Sequence, residues 1–222
     1  MAEIFFPNVN WDRLWDATVE TLYMTGMSVV FTFLFGTILG LVLFLTSKDN
    51  MWENRIIHGI TAAFVNIFRS IPFIILIVLL IPFTRAIVGS MLGPSAALPA
   101  LIIGAAPFYA RMVEIALREI DKGVIEASRS MGASNKEIIF KVLLPESMPA
   151  LVSGITVTSI ALVSYTAMAG FIGAGGLGDM AFREGFQRRN EDVTLMATIV
   201  ILLIVFAVQF IGDRLTHKLD KR

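Results

Sequence analysis

The feature that most constrains the fold is a long apolar stretch, residues 22–45, which contains no charged side chain. A helix that crosses the hydrocarbon core of a bilayer needs about 20 predominantly apolar residues in succession, and this stretch supplies them. Four further stretches of similar character follow along the chain: 58–83, 96–117, 148–172 and 193–212. The sequence therefore predicts an all-α integral membrane protein, with five transmembrane helices in a single domain that covers residues 1–222.

The composition agrees with that class and excludes several others. Only 16% of the residues are charged, against about 25% in a typical soluble domain, and the net charge of zero leaves no basic footprint for nucleic acid. The absence of cysteine excludes disulfides, thiolate metal sites and cysteine nucleophiles. The two histidines, His58 and His217, lie far apart at the edges of apolar stretches. We therefore predict no catalytic residues and no metal site.

The N-terminal segment "MAEIFFPNVNWDRLWDATVE" lacks the features of a secretory signal. It opens with an acidic residue, and no small-residue cleavage site follows its first apolar run. We expect it to remain on the mature protein as a short amphipathic lead-in to the first span. Its aromatic side chains suit the level of the lipid headgroups: Phe5, Phe6, Trp11 and Trp15.

The distribution of lysine and arginine predicts the orientation, because cytoplasmic loops carry an excess of both. Eleven of these residues lie in the 46–57 loop, the 118–147 loop and the tail from residue 213. Five lysine and arginine residues lie in the N-terminus and in the 84–95 and 173–192 loops. We therefore expect the N-terminus outside, the C-terminus in the cytoplasm, and the charged 118–147 segment exposed to the cytoplasm.

The first half of the 118–147 segment has the signals of a short helix. Asp121 is expected to cap its N-terminus, where an acidic side chain is favourable. Gly132 stands where a left-handed residue would end it. Residues that recur at spacings of three and four give the helix an amphipathic face: Val124, Ile125, Ser128 and Met131.

The second half predicts another short helix. Ser134 and Glu137 form the S-x-x-E pattern of a capping box. Pro145 is expected to end this helix, because proline lacks a backbone donor and restricts the residue before it. Such a helix pair has two interpretations: a solvated loop at the membrane surface, or a docking element for a soluble partner.

The stretch "EASRSMGASNKEIIFKVLLP", residues 126–145, resembles the EAA loop of binding-protein-dependent ABC importer permeases. The pattern of that loop is EAA, three residues, Gly, nine residues, Ile, any residue, Leu-Pro. This chain departs from it at Ser128, in place of the second Ala, and at Val142, in place of the Ile. In that family the loop docks onto a cytoplasmic ATPase. The resemblance implies this coupling role for Glu126, Ala127, Ser128, Met131, Gly132, Ala133, Leu144 and Pro145.

The resemblance extends over nearly the whole chain and is closest to the methionine-uptake members of that family. It is carried by "NIFRSIPFIILIVLLIPFTR" (66–85), "GAAPFYARMVE" (104–114), "IEASRSMGAS" (125–134) and "GAGGLGDM" (173–180). It implies a permease subunit of a bacterial inner membrane that pairs with a second copy of itself and with two cytoplasmic ABC ATPase subunits. An extracytoplasmic binding protein would deliver methionine. No cofactor is expected on this chain, and ATP would bind the partner ATPase.

Two glycine patterns bear on nucleotide binding. No G-x-x-x-x-G-K-[ST] sequence occurs, so the chain carries no P-loop of its own. "GAGGLG" fits G-x-G-x-x-G, but that fingerprint requires a preceding strand, whereas an apolar helix is predicted here. We interpret it as a turn at which a binding protein docks or an external gate bends, or as an ordinary glycine-rich loop.

Four charged residues in or near the spans require an explanation. Arg69 interrupts the second span just before Pro72, which could kink the helix. We interpret Arg69 as a structural anchor or as a gating contact. Arg111, Glu114 and Arg118 share one face of the third span. We expect them to fix that span to the 118–147 segment, and a proton relay through Glu114 is the alternative.

The fourth span is rich in small and hydroxylated residues, which let helices approach closely. Ser164, Tyr165 and Met168 are candidates for the lining of a substrate path, with simple helix packing as the alternative. The main alternative to an ABC permease is an ion-coupled secondary transporter or channel for a small solute. That class requires a paired ionisable residue deep in a span, and only Arg69 comes close.

Overall fold

The computed structural model describes residues 6–220, so Phe5 of the predicted lead-in lies outside the described residues. The described part of the chain is helical and contains no strand. Its helices are α1 (Trp11–Thr46), α2 (Arg55–Ser70), α3 (Phe73–Leu79), α4 (Ile81–Val88), α5 (Pro94–Arg118), α6 (Lys122–Ser130), α7 (Asn135–Gly170), α8 (Gly176–Asp179, continued by the π-helical Met180–Phe186) and α9 (Glu191–Leu219).

The helices confirm an all-α membrane fold. Four of them, α1, α5, α7 and α9, are long and apolar enough to cross a bilayer, and α2 with α3 forms a fifth span that is broken. The two halves of the broken span are bent by 107°. The span predicted over residues 58–83 is therefore broken just before Pro72, the residue that was expected to kink it. Ile71 has an extended backbone (φ −81°, ψ 123°), because the residue before a proline is disfavoured in the helical region.

The lead-in is not a separate element, because α1 begins at Trp11 and continues without a break to Thr46. Asn10 caps it by accepting a hydrogen bond from the Arg13 N–H at 3.0 Å. Leu14 and Ala17 are buried in this first part, whereas Trp15 is 69% exposed. The first turns of α1 therefore pack against the rest of the chain on one side only.

The central packing is between α1 and α5, and two glycines of α1 make it close. A Cβ atom on Gly40 would lie 2.5 Å from the Val113 Cβ, and one on Gly36 would lie 2.7 Å from the Tyr109 ring. Small residues at such positions let membrane helices approach backbone to backbone. Tyr109 then bridges to α7, because its hydroxyl donates to the Leu151 carbonyl at 3.2 Å.

The spans alternate between two ends of the molecule. At one, the α6 end, the Asn54 N–H donates to the Thr46 carbonyl at 3.0 Å, so that α2 begins where α1 finishes. At the other, the α8 end, the Gly93 N–H donates to the Gly173 carbonyl at 2.9 Å. Asn8 and Asp220 lie at the α8 end and the α6 end, respectively. The described chain therefore starts and finishes at opposite ends.

Candidate functional site

The short helix α6 has the predicted N-terminal cap. It begins at Lys122, and the Asp121 Oδ1 accepts a hydrogen bond from the Gly123 N–H at 2.7 Å. The carboxylate therefore satisfies one of the free backbone donors of the first turn, at the end where the helix dipole favours negative charge. The predicted role of Asp121 as the N-terminal cap is confirmed.

The C-terminus of α6 is a Schellman motif around Gly132. That glycine has φ +83°, in the left-handed region, which residues with a Cβ adopt only at a cost. The Gly132 N–H donates to the Arg129 carbonyl at 2.9 Å, and the Ala133 N–H donates to the Ser128 carbonyl at 3.1 Å. The predicted helix end is confirmed, and it reverses the chain sharply toward α7.

The capping box that opens α7 is also present. The Ser134 side chain accepts from the Glu137 N–H at 3.4 Å, and the Glu137 carboxylate accepts from the Ser134 N–H at 3.1 Å. Lys141 donates to the same carboxylate at 3.0 Å from the next turn. Local hydrogen bonds thus fix the start of α7 within one turn of the end of α6.

The prediction that Pro145 ends the second helix was wrong, because α7 runs on to Gly170. A π-helical turn over Ile138–Leu143 ends two residues before the proline. The Leu144 N–H donates to the Ile139 carbonyl, five residues back. A proline ring clashes with the carbonyl four residues before it, and the wider π turn relieves that clash.

The predicted coupling residues divide between a projecting face and a face that packs on the spans. Met131 is 82% exposed, and three of its neighbours in the pattern are exposed as well: Glu126, Ala127 and Gly132. Ser128 is buried, and its hydroxyl donates to the Val124 carbonyl at 2.7 Å. The two partly buried members, Ala133 and Leu144, pack against the core, and Pro145 is exposed. The helix pair therefore offers an exposed tip on a fixed base.

The base is apolar. Leu117, at the end of α5, and Ile120, in the turn that follows, share one buried cluster with Ile138 and Ile139 near the start of α7. Ile125 of α6 packs against that cluster. The helix pair is thereby joined to α5 through side-chain packing. Movement of the tip relative to the spans would require this cluster to rearrange.

The charged cluster on α5 is self-contained. The Glu114 carboxylate is 1% exposed and forms ion pairs with Arg111 and Arg118, each at 2.6 Å. All three residues belong to α5. Within residues 6–220 no ion pair joins this cluster to α6, so the expectation that it fixes the span to the coupling segment was wrong. The apolar cluster makes that connection instead.

The candidate path residues lie beside the broken span. The rings of Tyr165 and Phe73 stack with centroids 4.4 Å apart and 3° between their planes. Arg69, exposed in the last turn of α2, lines a small cavity of about 40 Å³ together with both rings. Ser164 and Met168 are exposed on α7. The break after α2 therefore brings Arg69 close to the predicted path, which the sequence did not reveal.

The glycine-rich turn at the α8 end is fixed to α1. The Gly176 N–H donates to the Glu20 Oε2 at 2.6 Å, and the Leu177 N–H donates to the Thr21 hydroxyl at 2.9 Å. The helix α7 precedes this turn, so it lacks the strand that a dinucleotide fingerprint requires. No local sequence pattern indicates these contacts, because the partners are 156 residues apart.

A group of charged side chains lies beside that attachment. Arg13 of α1 lies 3.5 Å from the Asp179 carboxylate and 3.4 Å from the Glu184 carboxylate. Burial raises the pKa of Asp179, and the positive charges of Arg183 and Arg13 oppose that rise. The carboxylate is thus held in an environment that penalises its charged form.

Comparison with known proteins gives consistent matches. The family model described as "Binding-protein-dependent transport system inner membrane component" matches residues 33–222. The chain is 64% identical, over 100% of both chains, to the methionine import system permease protein MetP of Bacillus subtilis. It is 47% identical to the probable D-methionine transport system permease protein MetI of Vibrio cholerae, over 96% of this chain and 95% of that one.

Solved structures agree with those matches. An inward-facing conformation of the MetNI methionine ABC transporter superposes with a TM-score of 0.92 at 47% identity, covering 94% of this chain and 96% of that one. An amino acid ABC transporter structure superposes with a TM-score of 0.76 at 17% identity, covering 93% of this chain and 94% of that one. At that identity the second match concerns the fold alone.

Proposed function

Because the chain belongs to the family of binding-protein-dependent transport system inner membrane components, we propose that it is the permease subunit of an ATP-driven importer for methionine. The observation that carries the proposal is the full-length similarity to a methionine import permease. As a membrane subunit of an ABC transporter the chain is not an enzyme, and ATP is proposed to bind and be hydrolysed on a partner subunit.

The tip of the helix pair is proposed to receive that partner. Met131 offers an exposed apolar side chain at the end of α6, with Gly132 forming a tight turn beside it. A short helix that presents an apolar residue can dock in a groove of a partner protein. The buried cluster beneath it, with Leu117 and Ile138, would transmit a displacement of the tip to α5 and α7.

The complete transporter is proposed to contain a second copy of this chain, two cytoplasmic ABC ATPase subunits and an extracytoplasmic methionine-binding protein. The exposed Ser164 and Met168 of α7 are proposed to face the path between the two copies. A thioether side chain such as that of methionine is apolar and polarisable, which suits a weakly polar path.

The proposed orientation places the α6 end in the cytoplasm and the α8 end outside. It is supported by the excess of lysine and arginine in the loops at the α6 end, eleven against five. The glycine-rich turn at the α8 end would then face the binding protein.

Reconstitution into proteoliposomes tests the proposal. The chain would be incorporated with its ATPase, and uptake of labelled methionine measured with the binding protein and ATP on their respective sides. We expect uptake that requires ATP and is insensitive to ionophores. Uptake by the chain alone, driven by an ion gradient, would contradict the proposal and favour a secondary transporter, a class that the full-length matches to ABC permeases argue against.

A further inference from the structure

A cleft of about 670 Å³ opens at the α6 end. Its walls are the loop after α1, the first turns of α2 and the turn that joins α5 to α6. Its size is within the range of small-ligand sites. The charged side chains that line it are mostly basic: Lys48, Arg55, Arg118, Lys122 and Glu53.

Most of this positive charge is not neutralised within the described part of the chain. Arg118 pairs with Glu114 at 2.6 Å, but Lys48, Arg55 and Lys122 form no ion pair among residues 6–220. The Glu53 carboxylate accepts a hydrogen bond from the Asp49 N–H at 3.1 Å and so is held toward the loop backbone. The cleft therefore has an excess of cationic donors that a bound anion could satisfy.

Two helices also begin at the cleft. Arg55 is the first residue of α2 and Lys122 the first residue of α6. Helix N-termini carry a partial positive charge and favour anions, phosphate above all. Asn54 and Asp121 already cap these two N-termini, so the basic side chains are the main source of attraction for an anion in the cleft.

The surroundings of the cleft are those of a membrane interface. Trp52, in the loop that borders it, is 48% exposed, and tryptophan is enriched at the headgroup level. On α2 itself Ile56 is 74% exposed and Ile60 is 68% exposed. An apolar strip therefore runs along the helix whose first residue lines the cleft, in the direction that acyl chains would take.

We propose that this cleft binds a phosphate group, presented as the phosphodiester of an anionic phospholipid such as phosphatidylglycerol. The headgroup lies among Lys48, Arg55 and Lys122, and the acyl chains lie along the exposed face of α2. Basic pockets between membrane helices on the cytoplasmic side bind such headgroups, so the proposal rests on the proposed orientation. A headgroup there would contact the first turn of α6, the helix proposed to receive the ATPase.

The test is a binding measurement on the full-length chain in nonionic detergent. Acyl-labelled phosphatidylglycerol or phosphatidylcholine would be titrated in mixed micelles, with inorganic phosphate as a soluble competitor. We expect retention of phosphatidylglycerol, weak retention of phosphatidylcholine and no effect of phosphate. Equal retention of both lipids would overturn the proposal. Binding of inorganic phosphate without preference between the lipids would overturn the assignment of lipid as its source.

A double variant, Lys48→Gln with Arg55→Gln, locates the site. Each basic side chain near an anionic surface contributes about fivefold in affinity, so the two changes are expected to weaken phosphatidylglycerol binding roughly 30-fold. The control, Lys136→Gln with Lys218→Gln, removes two exposed cations outside the cleft and should leave binding unchanged. Equal affinities in the two double variants would contradict the proposed site.

A charge-conserving variant controls for loss of binding through misfolding. Lys48→Arg with Arg55→Lys keeps both cations and is expected to retain phosphatidylglycerol. Loss of binding in this variant to the same extent as in the glutamine variant would also overturn the proposal. Because no ATP, ATPase or methionine is present, a failure here is distinguishable from a failure of the proposed transport function.

Discussion

At the scale of single residues, Gly132 has the most specific backbone requirement in the candidate site. A Cβ atom at this position would meet no atom within 4 Å. Any substitution therefore acts through its φ of +83° and not through a steric clash. The same glycine ends α6 and sets the direction in which the exposed tip projects.

We predict that Gly132→Ala lowers the free energy of unfolding by about 1–2 kcal/mol, the cost of a left-handed residue with a Cβ. It should also weaken binding of the ATPase. The matched control is Gly59→Ala, since Gly59 lies within α2, has no positive φ and has open space around it; that change should stabilise by about 0.5–1 kcal/mol. Thermal unfolding and ATPase co-purification measure both effects. Equal responses of the two variants would contradict the role of Gly132.

Substitution of Glu114 distinguishes a structural role of the charged cluster on α5 from a proton relay through Glu114. Glu114→Gln removes the charge from a side chain that is 1% exposed and leaves Arg111 and Arg118 without their ion-pair partner. We predict a loss of about 1–3 kcal/mol in unfolding free energy, toward the low end because both arginines reach solvent. ATP-driven uptake per folded molecule should persist at all imposed pH gradients. Loss of uptake with normal unfolding would instead support the proton relay.

At the scale of helices, the contact between α1 and α5 is so close that Gly40 leaves no room for a side chain. We predict that Gly40→Ala destabilises the protein by about 1–3 kcal/mol, because the new Cβ would lie 2.5 Å from the Val113 Cβ and 2.6 Å from the Ala110 carbonyl. The control on the same helix is Gly26→Ala, where nothing lies within 4 Å. Unfolding midpoints in detergent compare the two. A Gly40→Ala variant as stable as the control would show that α1 and α5 are farther apart.

The attachment of α8 to α1 should depend on pH. Burial raises the pKa of Asp179 above its ordinary value of 3.8, so between the unfolded and folded pKa values the folded protein holds a proton that the unfolded chain has released. The stability of the attachment therefore falls as pH rises through that window. The protection of the α8 amides, measured as their hydrogen-exchange rate relative to the intrinsic rate at the same pH, should fall over it. Asp179→Asn should remove the dependence, and an unchanged pH profile in that variant would contradict the assignment.

Local elements of the site were predictable from the sequence, and elements that depend on distant contacts were not. Asp121, Gly132 and the Ser134–Glu137 box act on backbone groups within a few residues, so their patterns specify the caps. Pro145 was wrongly predicted to end the helix. The π turn before it accommodates the proline within a helix that continues across the membrane. The link from Gly176 to Glu20 joins residues 156 positions apart, and no local pattern encodes it.

At the scale of the whole molecule, the two ends have different chemistry. The α6 end carries a projecting apolar tip and a basic cleft, whereas the α8 end carries a glycine-rich turn held by acidic side chains. Large exposed apolar residues cover the spans between them, among them Ile60 and Phe206. This distribution suits a subunit that meets an ATPase at one end, a binding protein at the other, and lipid or a second copy along its sides.

The chain contains no cysteine, so a single introduced cysteine reports its surroundings without background. Met131 and Phe186 make a matched pair, because they are large apolar residues that are 82% and 72% exposed at opposite ends of the molecule. The proposed coupling role of the α6 tip is tested most directly by cross-linking of Met131→Cys to the ATPase subunit in the assembled transporter, with Phe186→Cys as the control. We predict a cross-link from residue 131 whose yield changes with ATP, and none from residue 186. A cross-link from residue 186 but not from residue 131 would contradict the proposed coupling role of the α6 tip.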